Sequence, residues 1–231
     1  MTPPRTRGLA SHKAPARPSP RSKRELILAT ATADFARIGY RASRWSDVAD
    51  SVGIGSTALY HYFVSKEHCL FTIMAEVLRD NRDYFEVISR ETDEPRAVIA
   101  AAMRHPFEGG DAAADRHRVV MAEMHVLSLG HSGPDPEHEA YLDARGYAHD
   151  IVHAWTRYFG SLMRAGKIPA QDPHLLARAV IGLSAYPFAW YGPTTDVPLE
   201  HLRETVVAHA LAVVFNSAGE FAPDTAVKAT S

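Results

Sequence analysis

The chain has 231 residues, of which 46% are apolar and 23% charged, ordinary proportions for one large globular domain or two small ones sharing a core. No stretch approaches the roughly 18–20 consecutive apolar residues of a membrane-crossing helix, and the N-terminus lacks the apolar core of a secretory signal, so a cytoplasmic protein is expected. The lone Cys69 agrees, since one thiol builds no internal disulfide framework.

The net charge of −2 conceals an asymmetry. Residues 1–24 carry Arg5, Arg7, Lys13, Arg17, Arg21, Lys23 and Arg24 and no acid, whereas the remaining 207 residues carry 18 basic and 27 acidic side chains. Positive charge gathered at one end suits an anionic partner such as a phosphate backbone, and equally suits a solvated leader. Residues 1–21 hold five prolines and few large apolar residues, and are read as a disordered basic leader.

Order is expected from Ser22, where Ser22-Lys-Arg-Glu25 has the form of a capping box. Ile27, Ala31, Phe35 and Ile38 then recur at helical spacing until Gly39. Residues 45–51 read as a short helix, residues 52–55 as a tight turn with two glycines, and residues 56–63 as a second short helix with Leu59, Tyr60 and Phe63 in one stripe. Ser65 caps a long helix reaching about residue 90. Further helices are expected from Pro95 to near residues 109–110, over about 112–129, from Asp135-Pro136 to 165–166, from Asp172-Pro173 to about 191, and from Pro198 to near 219. Proline suits these starts because a first-turn N–H has no intrahelical partner. Pro187, inside the penultimate helix, removes one hydrogen bond and should kink it. Residues 130–134 interrupt the pattern, and residues 220–231 read as a flexible tail. No segment sustains a period of two, so the fold class is all-α with about nine helices.

Two short helices joined by a glycine turn and packed on a longer one form a helix-turn-helix unit. Ala49 is small enough for close helix approach, and Gly53 tolerates a positive φ in the turn. Ser56, Thr57 and Ala58 make a slender, polar helix start able to enter a major groove about 12 Å wide. These features alone also fit an ordinary helical bundle.

The ordered block Phe35-Ala-Arg-Ile-Gly-Tyr40, Asp47-Val-Ala, Val52-Gly-Ile, Leu59-Tyr-His-Tyr-Phe63 and Ser65-Lys-Glu67 resembles the TetR family of transcriptional regulators. The resemblance implies an N-terminal three-helix DNA-binding domain (residues 22–68) and a larger effector-binding and dimerisation domain (residues 69–219). It implies a homodimer on a palindromic double-stranded DNA operator, most often as a repressor, with a small-molecule effector of unknown identity that changes the spacing of the two heads. Carried over by position, Ser56, Thr57 and Ala58 open the recognition helix, and Tyr60 and His61 touch phosphate or base. Lys66 opens the next helix, where backbone N–H groups favour a phosphate. Arg44, Trp45 and Ser46 complete the candidate DNA-binding set. Arg44 stands where such regulators usually have a serine or threonine cap, although its guanidinium still suits phosphate. Trp45 replaces a small or aliphatic residue and fits either packing or DNA contact. Gly55 replaces a serine cap.

In the C-terminal region the candidate pocket residues are Met103, Phe107, Met121, Met124, His125, Trp155, Phe159, Met163, Tyr186 and Trp190, for which an ordinary packed core is the alternative. Tyr186-Pro-Phe-Ala-Trp-Tyr191 is similar to a segment of regulators of fatty-acid and steroid breakdown that respond to acyl-CoA thioesters, which implies an acyl-CoA among the candidate effectors. His149 and His153 share a helix face, but no further ligand is placed to complete a metal site, so no metal is expected. Cys69 reads as a buried apolar residue. The last two long helices carry broad apolar faces (Leu175, Leu176, Ala179, Val180, Leu183; Leu199, Leu202, Val206, Ala210, Val213) that either close the monomer's core or pair with a second copy in a four-helix bundle. Without a phosphate loop, a Gly-x-Ser-x-Gly elbow or a His-Glu-x-x-His motif, no enzyme and no cofactor is expected, and membrane association is not expected either. Arg41, Arg44 and Lys66 argue against a helix-turn-helix that has lost its DNA.

Overall fold

The computed structural model of the chain describes residues 20–192 and 195–215. They form nine α-helices: α1 (Pro20–Ile38), α2 (Trp45–Ser51), α3 (Ser56–Leu59), α4 (Lys66–Glu91), α5 (Pro95–Arg104), α6 (Gly110–Glu123), α7 (Asp135–Arg164), α8 (Pro173–Ala185) and α9 (Leu199–Phe215). Short 3₁₀ turns follow α5, α6 and α8, at His105–Phe107, Met124–Ser128 and Tyr186–Ala189. No strand occurs among the described residues, and the chain is all-α. Among the same residues no helix is long and apolar enough to cross a membrane.

Helix starts follow the local chemistry of the sequence. The Ser65 hydroxyl accepts from the backbone N–H of His68 at 2.8 Å and opens α4. The Asp172 carboxylate accepts from His174 and Leu175 N–H groups at 2.8 and 3.0 Å, with Pro173 in the first turn of α8. Glu94 caps α5 in the same way, ahead of Pro95.

Several boundaries differ from expectation. α1 begins at Pro20, two residues ahead of the start expected at Ser22. The expected leader otherwise falls on residues 1–19, outside the described residues, as does the 220–231 tail. The helix expected over 56–63 is regular only to Leu59; the chain then tightens, with His61 N–H bonded to Ala58 C=O and Tyr62 N–H to Leu59 C=O. α5 ends at Arg104 because Pro106 has no N–H to continue the α-helical ladder; His105 before it stays right-handed helical and the chain tightens into the 3₁₀ turn. The helix expected over about 112–129 starts at Gly110, is α-helical only to Glu123 and continues as the 3₁₀ turn. Pro187 terminates α8 instead of kinking it, since its ring and missing N–H forbid another α-turn.

The core is continuous from the N-terminal helices to the long pair α4 and α7. Ile27, Ala31 and Phe35 of α1 meet Val48 and Ala49 of α2, Leu59 of α3, and Phe63. The same cluster runs on through Cys69, Leu70, Met74 and Val77 of α4 to Val119 of α6 and Tyr141 and Ala144 of α7. Burying each large side chain of this set contributes on the order of 1.5–3 kcal/mol. A second cluster joins α4, α5, α7, α8 and α9, with the Phe85 and Trp155 rings stacked at 4.1 Å. A smaller third packs Phe107 against Phe188, with Leu202 and Val206 of α9.

Candidate nucleic-acid interface and effector cavity

The helix-turn-helix exposes two arginines in the loop ahead of α2 and polar side chains at the start of α3. The Lys23 ammonium donates to Val52 C=O at 2.9 Å, tying α1 to the end of α2. Gly53 adopts φ +67° in the turn, a conformation side chains with a Cβ rarely accept. Gly55 caps α3 from an extended conformation with no side-chain hydrogen bond, which leaves the first N–H groups of α3 open to a partner. Arg41, Arg44, Ser56, Thr57, Tyr60 and His61 are exposed, Tyr60 by 52%; Ala58 and Ser46 are half-buried beside them. Ser46 donates to the Asp47 carboxylate at 3.1 Å.

Two of the residues assigned to DNA from sequence point elsewhere. Trp45 packs edge-to-face on Phe63 at 6.3 Å with its indole N–H buried, so it braces α2 and offers no donor at the surface. Lys66 turns back over the Tyr40 ring at 4.2 Å, and its ammonium donates to the carbonyls of Tyr40 and, at 2.6 Å, Ser43. Those carbonyls have no helical partner to satisfy them, so the lysine clamps the α1–α2 corner to the start of α4. Desolvation there pulls its pKa below the usual lysine value. Nearby, Arg24 lies over the Phe63 ring at 4.6 Å.

A residue that sequence reasoning missed connects this unit to the rest. Glu137, in the first turn of α7, is buried; the Ser65 hydroxyl that caps α4 donates to its carboxylate, and His131 Nε2 lies 2.8 Å from it. One hydroxyl thus serves the N-terminus of α4 and the start of α7 together. Nothing in a glutamate two positions past the start of a helix foretold burial.

Between α4, α6, α7 and α8 lies a cavity of about 110 Å³. Of the expected pocket residues, Met103, Met121, Met124 and Trp155 line it. Phe107 and Phe159 are buried in neighbouring clusters, and Met163 is half-buried against the second. His125 is exposed, as are Tyr186 (63%) and Trp190 (49%). The cavity also takes residues not anticipated, among them Asn81, Phe85, His117, Ser184 and Phe188. His149 and His153 are both exposed, and no group of three metal-ligating side chains occurs among the described residues. Cys69 is fully buried, and burial pushes its thiol pKa up.

The family described as "Bacterial regulatory proteins, tetR family" matches residues 27–73, spanning most of α1 through the first turns of α4. The transcriptional repressor KstR2 of Mycolicibacterium smegmatis is 46% identical over 214 residues, covering 90% of this chain and 98% of the relative. KstR2 of Mycobacterium tuberculosis (H37Rv) is 33% identical over 193 residues, covering 82% and 92%. The solved structure of the M. tuberculosis KstR2, a ketosteroid transcriptional regulator, superposes with a TM-score of 0.70 at 22% identity, covering 85% of this chain and 97% of that one. AibR, solved with isovaleryl coenzyme A and operator DNA, gives 0.66 at 19%, covering 81% and 97%. The chain belongs to the TetR family, and with a helix-turn-helix on this all-α frame and a repressor relative matched along nearly its whole length it is a DNA-binding transcriptional repressor.

Proposed function

We propose that the chain grips a palindromic operator as a homodimer and that a small, largely apolar effector in the cavity changes that grip. Residues 22–68 act as the DNA-binding domain and residues 69–219 as the effector-binding and dimerisation domain. Arg44, Ser56, Thr57, Ala58, Tyr60 and His61 meet the DNA. The observation that carries the reading is the cavity itself, apolar over most of its wall and set against α4, the helix that starts at the helix-turn-helix. Its volume suits a single small ring or a short acyl chain, and a larger effector must displace α6 or α8. An effector alters DNA affinity only through a difference in its binding to the two conformations, and displacement of those helices relative to α4 supplies one. The complex of AibR with isovaleryl coenzyme A supports an acyl-CoA thioester as the effector class.

Fluorescence anisotropy of a labelled fragment from the gene's own upstream region tests both parts. Competitor-resistant binding that weakens with salt and is released or tightened by acyl-CoA thioesters is the expected result. Binding that random DNA competes away equally would remove the operator reading, and indifference to every acyl-CoA would remove the effector class.

A further inference from the structure

The cavity lining is apolar except for Asn81 of α4 and His117 of α6, which lie side by side, and Ser184 of α8; no acidic or basic side chain besides His117 lines it. His117 Nδ1 lies 3.0 Å from the Ala113 carbonyl, so that nitrogen carries the proton and donates. Nε2 is then an acceptor, 3.3 Å from Asn81 Nδ2. Desolvation holds the imidazole pKa down to about 4, so the ring is neutral at physiological pH. Its face stacks on Phe188 at 5.0 Å, which fixes its orientation. The Ser184 hydroxyl donates to Ile181 C=O at 2.9 Å and is left with acceptor capacity only. Asn81 keeps a carbonyl and a second N–H. The remaining wall, including Phe85, Met121, Met124 and Trp155, offers no hydrogen-bonding group to a ligand apart from the indole N–H.

We infer that Asn81 and His117 are the specificity-determining pair of the effector cavity, selecting an uncharged oxygen function, a ketone or hydroxyl, on an otherwise apolar ligand moiety; this rests on the cavity being the effector site. A ketone accepts from Asn81, and a hydroxyl donates to Asn81 or to His117 Nε2. A carboxylate is refused, because the wall would strip its water and supply no cation. At 3.3 Å the Asn81–His117 hydrogen bond is longer than the usual 2.9–3.0 Å, so a ligand oxygen displaces it at little cost. That exchange swaps a direct α4–α6 contact for a ligand-bridged one on the helix that leads to the DNA-reading unit.

The test uses three probes sharing one ring, 4-fluorophenol, 4-fluorotoluene and 4-fluorobenzoate, with dissociation constants read by ¹⁹F NMR. The wild-type protein is expected to bind the phenol and the toluene and to refuse the benzoate. Asn81→Leu, close in volume, is expected to weaken 4-fluorophenol about tenfold and leave 4-fluorotoluene within about twofold. His117→Phe, which keeps the ring on Phe188, gives the same selective loss and serves where Asn81→Leu does not fold. Equal responses of the two neutral probes in both variants, or benzoate binding as tight as phenol, would overturn this inference while leaving the cavity as the effector site. Failure of wild type to bind either neutral probe would remove the effector-cavity reading and this inference with it.

Discussion

Lys66 and Tyr60 stand six residues apart and are placed differently. The Lys66 ammonium is spent on two backbone carbonyls and an aromatic face, whereas Tyr60 is exposed beside the recognition helix. Lys66→Met is therefore expected to lower unfolding free energy by about 1–3 kcal/mol in a urea titration, since two charge-assisted bonds are lost and only the Tyr40 carbonyl keeps another donor, the Ser43 hydroxyl at 2.7 Å. Tyr60→Ala is expected to weaken operator binding by about 1–3 kcal/mol with the melting temperature unchanged. The opposite pairing of outcomes would exchange the two roles. His117 adds a pH dependence. Its folded pKa of about 4 lies below the ordinary value of 6.5, so the unfolded chain takes up the proton first as pH falls. The stability that the neutral ring contributes is complete above about pH 6.5 and is lost as pH drops toward 4. Denaturant midpoints measured across that window should slope less in His117→Phe than in the wild type; equal slopes would mean the ring protonates as freely in the fold as out of it.

At the scale of elements, the meeting of α4 and α7 is the joint between the DNA-reading helices and the cavity. Ser65 caps α4 and donates to buried Glu137 of α7, while the backbone of Gly133 passes so close to that carboxylate that a Cβ there would collide with it. Gly133→Ala should push the carboxylate off Ser65 and His131 and cost about 1–3 kcal/mol, read as a lower urea midpoint; an unchanged midpoint would show that the carboxylate relocates without loss. The two halves of this joint differed in how far sequence revealed them. Ser65, Asp172-Pro173 and Pro95 announced their helices because a cap works through atoms only a few residues away. Glu137, the Lys66 clamp and the polar pair of the cavity depend on partners 72, 26 and 36 residues distant, which no local pattern encodes. The Met and aromatic pattern located part of the cavity wall, Met103, Met121, Met124 and Trp155, because apolar residues at helical spacing face inward. It could not separate them from Phe159, equally apolar and fully packed, and for polar residues it chose the exposed His125 over Asn81 and His117 because nothing local marks which polar side chain turns inward.

For the whole molecule, the outer face of α8 and α9 argues for pairing. Leu175 is 64% exposed and Tyr186 63%, with Ala179, Ala208 and Ala212 also outward and small enough for close helix approach. Leu176, Val180, Leu202, Val206 and Ala210 are buried in the monomer while Leu183, Leu199 and Val213 are half-buried, so each helix divides its apolar surface between its own core and its outer side. Light scattering should give twice the 25.4 kDa of one chain, and Leu175→Glu should give a single-chain mass with helical circular dichroism intact. A dimer also fixes how a phosphate contact appears in a salt titration. The logarithm of affinity falls with the logarithm of salt by about 0.9 for each phosphate neutralised. If Arg44 meets a phosphate in each half-site, Arg44→Gln removes two contacts per dimer and should reduce the slope by about 1.8. A reduction near 0.9 would mean that only one head engages the operator, and an unchanged slope would place Arg44 off the DNA.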